Sequence, residues 1–312
     1  MPPSVRIHRW RGVAAVTLIS GDLEATFIPE LNLLGTSLRR SGEEFLALPG
    51  GVPAYRRKHQ TGLPLLAPWA NRLGAWEYRV GHLRVDLQGL DLYTEGGLPL
   101  HGTMSGPTVW DVRAVSTSGD VARLRASFEY ARGDLLAAFP FPHLLERAIQ
   151  VDGRSLSVTT TLRPTGDRAV PVSFGYHPYL RLPSGSRSTW RLVLPARTHV
   201  MLDERGIPTG GRVEQPAEAD DIGSRNFDDL FELSGDGPAR HRGRGTTAHR
   251  GVRPRLPVRA GVRPPGGSYV CLEPMTAPTN ALVTDEYPMV SPGESFVAGF
   301  SIRPERAALE SV

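Results

Sequence analysis

The sequence predicts an all-β fold: a large antiparallel sandwich or barrel with few short helices. Two observations carry this expectation. Apolar and polar residues alternate at period two over many short stretches, and those stretches are bounded by Gly, Pro and Asp at close intervals. In Leu156–Leu162, for example, apolar Leu156, Val158 and Leu162 alternate with Ser157 and Thr159, the mark of a half-buried strand. Long helical periodicity is absent.

Taken in order, the elements read as hairpins. WEYRV (Trp76–Val80) and LRVDL (Leu83–Leu87) flank Gly81-His82. WDVRAVS (Trp110–Ser116) and VARLRASFEY (Val121–Tyr130) flank Ser118-Gly119-Asp120. HLLERAIQV (His143–Val151) and SLSVTTTL (Ser155–Leu162) flank Asp152-Gly153, a pair that tolerates the positive φ of a tight turn. Many antiparallel strands at this spacing build sandwiches or barrels. With no internal repeat and no linker, residues 1–312 read as a single domain, and 40% hydrophobic content over 312 residues suffices for a substantial core.

Composition narrows the function. No run of ~18 apolar residues marks a membrane span, and the charged start MPPSVRIHRWRG lacks a signal-like apolar stretch, so a cytoplasmic location is expected. The lone Cys271 precludes an internal disulfide framework and Cys-based zinc sites. P-loop, dinucleotide-fingerprint, Gly-x-Ser-x-Gly and His-Glu-x-x-His patterns are all missing, and nothing signals a metal or cofactor. The net charge of +4 and pI near 9.5 suggest nucleic acid until the charge is located. Arg240 to Arg263 holds eight arginines and no acidic residue, so the rest of the chain is mildly acidic and offers phosphate backbones no distributed attraction.

That stretch, about Ala239–Pro265 (ARHRGRGTTAHRGVRPRLPVRAGVRPP), also breaks the strand pattern with Arg, Gly, Pro and His. The chain uses arginine almost exclusively, with Lys58 its one lysine, which suggests GC-rich coding DNA. Shifted frames of such DNA yield this composition, so a pair of compensating frame changes is one explanation and a solvated loop the other. Lost strand pairing there is expected to weaken the fold.

The remaining signals are polar groups set in apolar, aromatic or proline-containing segments: Asn71-Arg72 in PLLAPWANRLGAW, His101 in LPLHGT, His177 in VSFGYHPYLRL, Asp228 and Asp229 in NFDDLF, and Glu273 in CLEPMTAPTNAL. Each is costly to bury without partners. Singly, a histidine there reads as a satisfied core group and an aspartate as a turn cap. Their conjunction says more than any one of them, and an arginine at position 72 suits sugar hydroxyls.

These segments, in this order and followed by PGES (Ser291–Ser295 region), resemble the motifs of the aldose 1-epimerase (galactose mutarotase) family from roughly Ile28 to Ile302. The resemblance implies a large galactose mutarotase-like β-sandwich with a sugar in a cleft across one sheet. It assigns the acid to His177 and the base to Glu273, and sugar contacts to Arg72, His101 and Asp228, the last preferred over Asp229. Opening a cyclic hemiacetal requires deprotonating the anomeric hydroxyl while protonating the ring oxygen. An imidazole (ordinary pKa ~6.5) and a carboxylate (~4.3) suit those tasks near neutral pH without a cofactor. The partner implied is a small-molecule sugar, with no nucleic acid and no membrane. Alternatives are a sugar-phosphate (hexose-6-phosphate) 1-epimerase, for which Arg79, Arg84 and Arg181 are candidate cations, and a non-catalytic sugar-binding module.

Overall fold

A computed structural model describes residues 2–233, 257–261 and 269–305. The predicted hairpins form as antiparallel pairs. Glu77–Val80 pairs with Leu83–Asp86, Asp111–Ser118 with Val121–Tyr130, and His143–Val151 with Leu156–Pro164. The last turn has a clear local cause. Gly153 takes φ 75°, and Asp152 Oδ1 accepts the backbone N–H of Arg154 and Ser155 at 2.9 and 2.7 Å, so the carboxylate organises the reversal.

Three larger sheets result. The first is a meander of Ser4–Trp10, Val13–Ser20, Leu23–Ile28, Leu34–Arg40 and Glu43–Glu44. The second runs Asp111–Ser118, Val121–Tyr130, His143–Val151 and Leu156–Pro164, and Phe296–Ile302 adds to its edge. Inward residues of these two sheets, among them Leu18, Leu23 and Phe27 facing Leu124, Ile149 and Val158, are all 0% exposed and share one core. This is the alternation expected of a sandwich. Helices are confined, among the described residues, to Gly51–Arg56, Gly133–Ala138, Ala281–Thr284 and a 3-10 turn at Arg187–Thr189. None of the helices is long and apolar enough to cross a membrane.

The third sheet carries the candidate site. Its order is Tyr179–Leu180, Val270–Pro274, Pro257–Gly261, Asp228–Leu233, Arg197–Leu202 and Pro208–Gln215, every pair antiparallel. One face packs Val200, Leu230 and Met275 against Leu66 and Ala70. The other packs Val270 and Leu272 against Trp190, Leu192 and Ile222, which belong to or flank the Arg191–Leu194 and Glu218–Asp221 ribbon.

The arginine-rich stretch meets the fold here. Most of Ala239–Pro265 lies outside the described residues, and so does the question of its reading frame. Pro257–Gly261 does not. Contrary to the expected loss of pairing, its backbone fills the slot between Asp228–Leu233 and Val270–Pro274, with Asp228 opposite Gly261 and Arg259 opposite Glu273. Pro257 sits at the strand's first position, where the missing N–H is tolerated.

Candidate active site

The segment around His177 is divided by Pro178. Gly175–Tyr176 pairs with Leu65–Leu66, whereas Tyr179–Leu180 pairs with Val270 and Cys271 of the third sheet. Proline has no N–H to give either ladder, which accounts for the break. Continuing the register Tyr179↔Cys271 back by two residues puts His177 opposite Glu273. The side chains meet there, with Nε2 and Oε1 3.1 Å apart. Gly175 makes the approach feasible: a Cβ on it would lie 2.9 Å from the Ala70 Cβ and 3.0 Å from the Pro274 carbonyl oxygen.

The pairing resolves the cost noted from sequence. The Glu273 side chain is only 3% exposed, and an uncompensated buried carboxylate costs several kcal/mol. A histidine donor at hydrogen-bond distance offsets that. The imidazole is aimed by its neighbours: the His177 backbone N–H donates to the Pro64 carbonyl at 3.2 Å, and Tyr179 stacks on the ring at 4.7 Å between centroids. Tyr176 points the opposite way, into the core, where its hydroxyl contacts Thr160. Of the two flanking tyrosines, only Tyr179 walls the histidine.

His101 stands edge-on to His177, ring centroids 5.7 Å apart. Two left-handed residues, Asn71 and His101, both at φ 63°, create this placement through reciprocal bonds. The His101 N–H donates to the Asn71 carbonyl at 3.0 Å, and the Asn71 N–H donates to His101 Nδ1 at 3.2 Å. Since Nδ1 accepts, the ring proton is assigned to Nε2, which makes that nitrogen the donor. Gly102, at φ 70°, is required: a Cβ there would lie 2.3 Å from the Ala67 carbonyl oxygen.

Arg72 is 7% exposed and pairs with the Glu95 carboxylate. Its backbone is anchored by Asn71 Oδ1, which accepts the Arg72 N–H at 2.8 Å, and by the Asn280 N–H, which donates to the Arg72 carbonyl at 2.9 Å. The ion pair and the two backbone anchors fix the guanidinium fork in place.

Asp228 and Asp229 separate by face. Leu230, Arg259 and Glu273 lie in one register across adjacent strands, so Asp228, two residues before Leu230, shares the face of Glu273. It lies two strand spacings across and two residues along from Glu273, about 12 Å. Asp229 projects to the reverse face, where its Oδ1 is 3.2 Å from His199 Nε2.

The structure thus brings His177, Glu273 and His101 into one cluster, with Arg72 joined to it through the Asn71–His101 link and Asp228 on the same sheet face. Sequence reasoning missed Glu95, and Asn71 as the orienter of His101. Asn71 carried a usable signal, because Asn is enriched in left-handed conformations. Glu95, in the exposed-looking TEGG turn, carried none.

A β-sandwich whose third sheet presents a buried histidine–glutamate pair beside oriented polar side chains has the galactose mutarotase-like architecture. The solved structures agree. A galactose mutarotase-like protein from Clostridium acetobutylicum superimposes with TM-score 0.79 at 18% identity, covering 97% of this chain and 99% of that one. Galactose 1-epimerase from Lactobacillus acidophilus gives 0.71 at 16%, covering 96% and 97%, and an aldose epimerase homologue from C. elegans 0.65 at 13%, covering 92% and 100%. No curated protein matches the sequence. The aldose 1-epimerase family model matches residues 36–253, and the chain belongs to that family.

Proposed function

We propose that the protein is an aldose 1-epimerase that interconverts the α and β anomers of a free aldose. The observation that carries this reading is the His177 Nε2 to Glu273 Oε1 contact of 3.1 Å. The anomeric hydroxyl and the ring oxygen are bonded to the same carbon, so an acid and a base serving both must stand side by side. In the forward step Glu273 takes the proton of the anomeric hydroxyl and His177 gives one to the ring oxygen. The C1–O5 bond breaks, and an open-chain aldehyde forms. Rotation about the C1–C2 bond presents the other carbonyl face, and closure returns both protons.

Arg72, His101 and Asp228 hold the remaining hydroxyls, which leaves C1 free to turn. The Arg72–Glu95 pair and the Asn71–His101 link keep these groups rigid before the sugar arrives. A sugar-binding module would have no use for a base buried against an acid. The deciding experiment is polarimetry of freshly dissolved single anomers of galactose and glucose. Wild type is expected to speed equilibration well beyond buffer, and His177→Asn to lose about 10²–10⁴-fold of that rate. Equilibration by wild type at the buffer rate would reject the enzyme reading.

A further inference from the structure

The antiparallel register that joins His177 to Glu273 does not stop at the reacting pair. Tyr179 faces Cys271 and Leu180 faces Val270, so the next same-face pair is Arg181 with Tyr269. The face is continuous. Tyr179 stacks on His177 at 4.7 Å and meets Tyr269 at 5.1 Å between ring centroids. Arg181 and Tyr269 then line a cleft of about 600 Å³, closed on its other side by Trp10, Arg11, Arg39 and Glu44 of the first sheet.

The charge of this cleft is lopsided. Glu44, its one carboxylate, is consumed: it accepts from Ser37 Oγ at 2.5 Å, from the Leu38 and Leu46 N–H groups at 2.8 and 3.1 Å, and from Arg39 Nε at 3.1 Å. Arg11 lies over the Trp10 ring at 4.8 Å. Neither Arg11 nor Arg181 has a carboxylate partner among the described residues, and Arg181 Nε is buried without a hydrogen-bond acceptor. A buried guanidinium donor without an acceptor calls for one. The other two arginines considered from sequence do not compete for this role. Arg84 is tied to Glu77 at 2.5 Å on a surface hairpin, and Arg79 is exposed on the same hairpin.

We propose that this cleft is a second subsite, which binds an anionic saccharide unit attached to the aldose undergoing anomer exchange. Four residues of extended chain separate His177 from Arg181, about 13 Å, farther than one pyranose ring reaches. A second ring stacked on Trp10 or Tyr269 brings its carboxylate or phosphate to the guanidinium forks of Arg181 and Arg11. The substrate class is therefore an acidic reducing disaccharide, and the proposal rests on the epimerase reading of His177 and Glu273.

The test compares cellobiose, cellobiouronic acid and cellobiose 6′-phosphate, whose second ring is neutral, carboxylated or phosphorylated. Anomer equilibration is followed by NMR and binding by calorimetry. KM and Kd for one or both acidic sugars are expected to lie about tenfold below those for cellobiose and to rise with salt. Arg181→Gln is expected to erase that difference, Arg181→Lys to keep part of it, and Arg11→Ala, at the exposed rim, to reduce it in a chain whose folding it does not threaten. Preference for only the carboxylated or only the phosphorylated sugar identifies which anion the subsite takes. Equal Kd for neutral and acidic disaccharides in wild type overturns the proposal. If no sugar equilibrates faster than buffer while the acidic ones still bind through Arg181, the epimerase reading fails and the subsite stands.

Discussion

At the scale of single residues, adjacent positions in this chain take different fates. Asp228 and Asp229 are indistinguishable by type, and the strand register puts one on the face of Glu273 and the other against His199. Asp228→Asn is therefore expected to raise KM for a free aldose about tenfold, the size of a charge-assisted hydrogen bond. Asp229→Asn is expected to change it less than about twofold, since it removes only a partly exposed pair. Steady-state kinetics on both variants checks this, and equal effects would mean that the register is wrong. The residue types of the candidate site were legible in the sequence because each was out of place in an apolar segment. Their partners were not. Glu95 pairs with Arg72 from a turn that looks like any other, and the link between Asn71 and His101 depends on two positive φ angles that composition does not announce.

At the scale of elements, the hairpins were legible because turn chemistry and alternation agree: Asp152-Gly153 closes the pair that its flanking strands already imply. Long strands with one buried face carry their own pattern, whereas the two-residue strands around Pro178 do not: the structure divides VSFGYHPYLRL between two pairings. The His143–Val151 strand carries a pH liability of its own. His143 is 1% exposed, stacks on Tyr130 at 4.7 Å and engages the Phe141 carbonyl through Nδ1 at 2.7 Å. Burial pushes its pKa down to about 4, against the smaller upward pull of that carbonyl. The unfolded chain binds a proton near pH 6.5 that the folded chain refuses, so this residue's stability is intact above pH 6.5. It is lost progressively as pH falls toward about 4. At pH 5 the loss is about 2 kcal/mol relative to pH 7.5. Urea unfolding at the two pH values is expected to show it, and His143→Phe to flatten the difference. An unchanged slope in that variant would assign the acid sensitivity elsewhere.

At the scale of the whole molecule, His177 and Glu273 come from segments almost a hundred residues apart, and the third sheet brings them together. The family match over residues 36–253 ends before Glu273, yet the sheet carries the register past that point through Pro257–Gly261. That strand is poor in the residues strands favour. Replacing Gly261, which gives up backbone entropy and packs no side chain, with Thr is expected to raise the thermal midpoint by about 2 °C, from roughly 0.5–1 kcal/mol. Calorimetry showing no rise would mean that the strand adds nothing to global stability. His177 and Glu273 are proposed to exchange protons with the two oxygens bonded to one hemiacetal carbon. NMR magnetisation transfer between the α and β anomeric protons of galactose, with wild type and Glu273→Gln at equal concentration, tests it most directly. Wild type is expected to catalyse the exchange, and a folded Glu273→Gln protein to leave it at the buffer rate. Exchange undiminished in Glu273→Gln would contradict it.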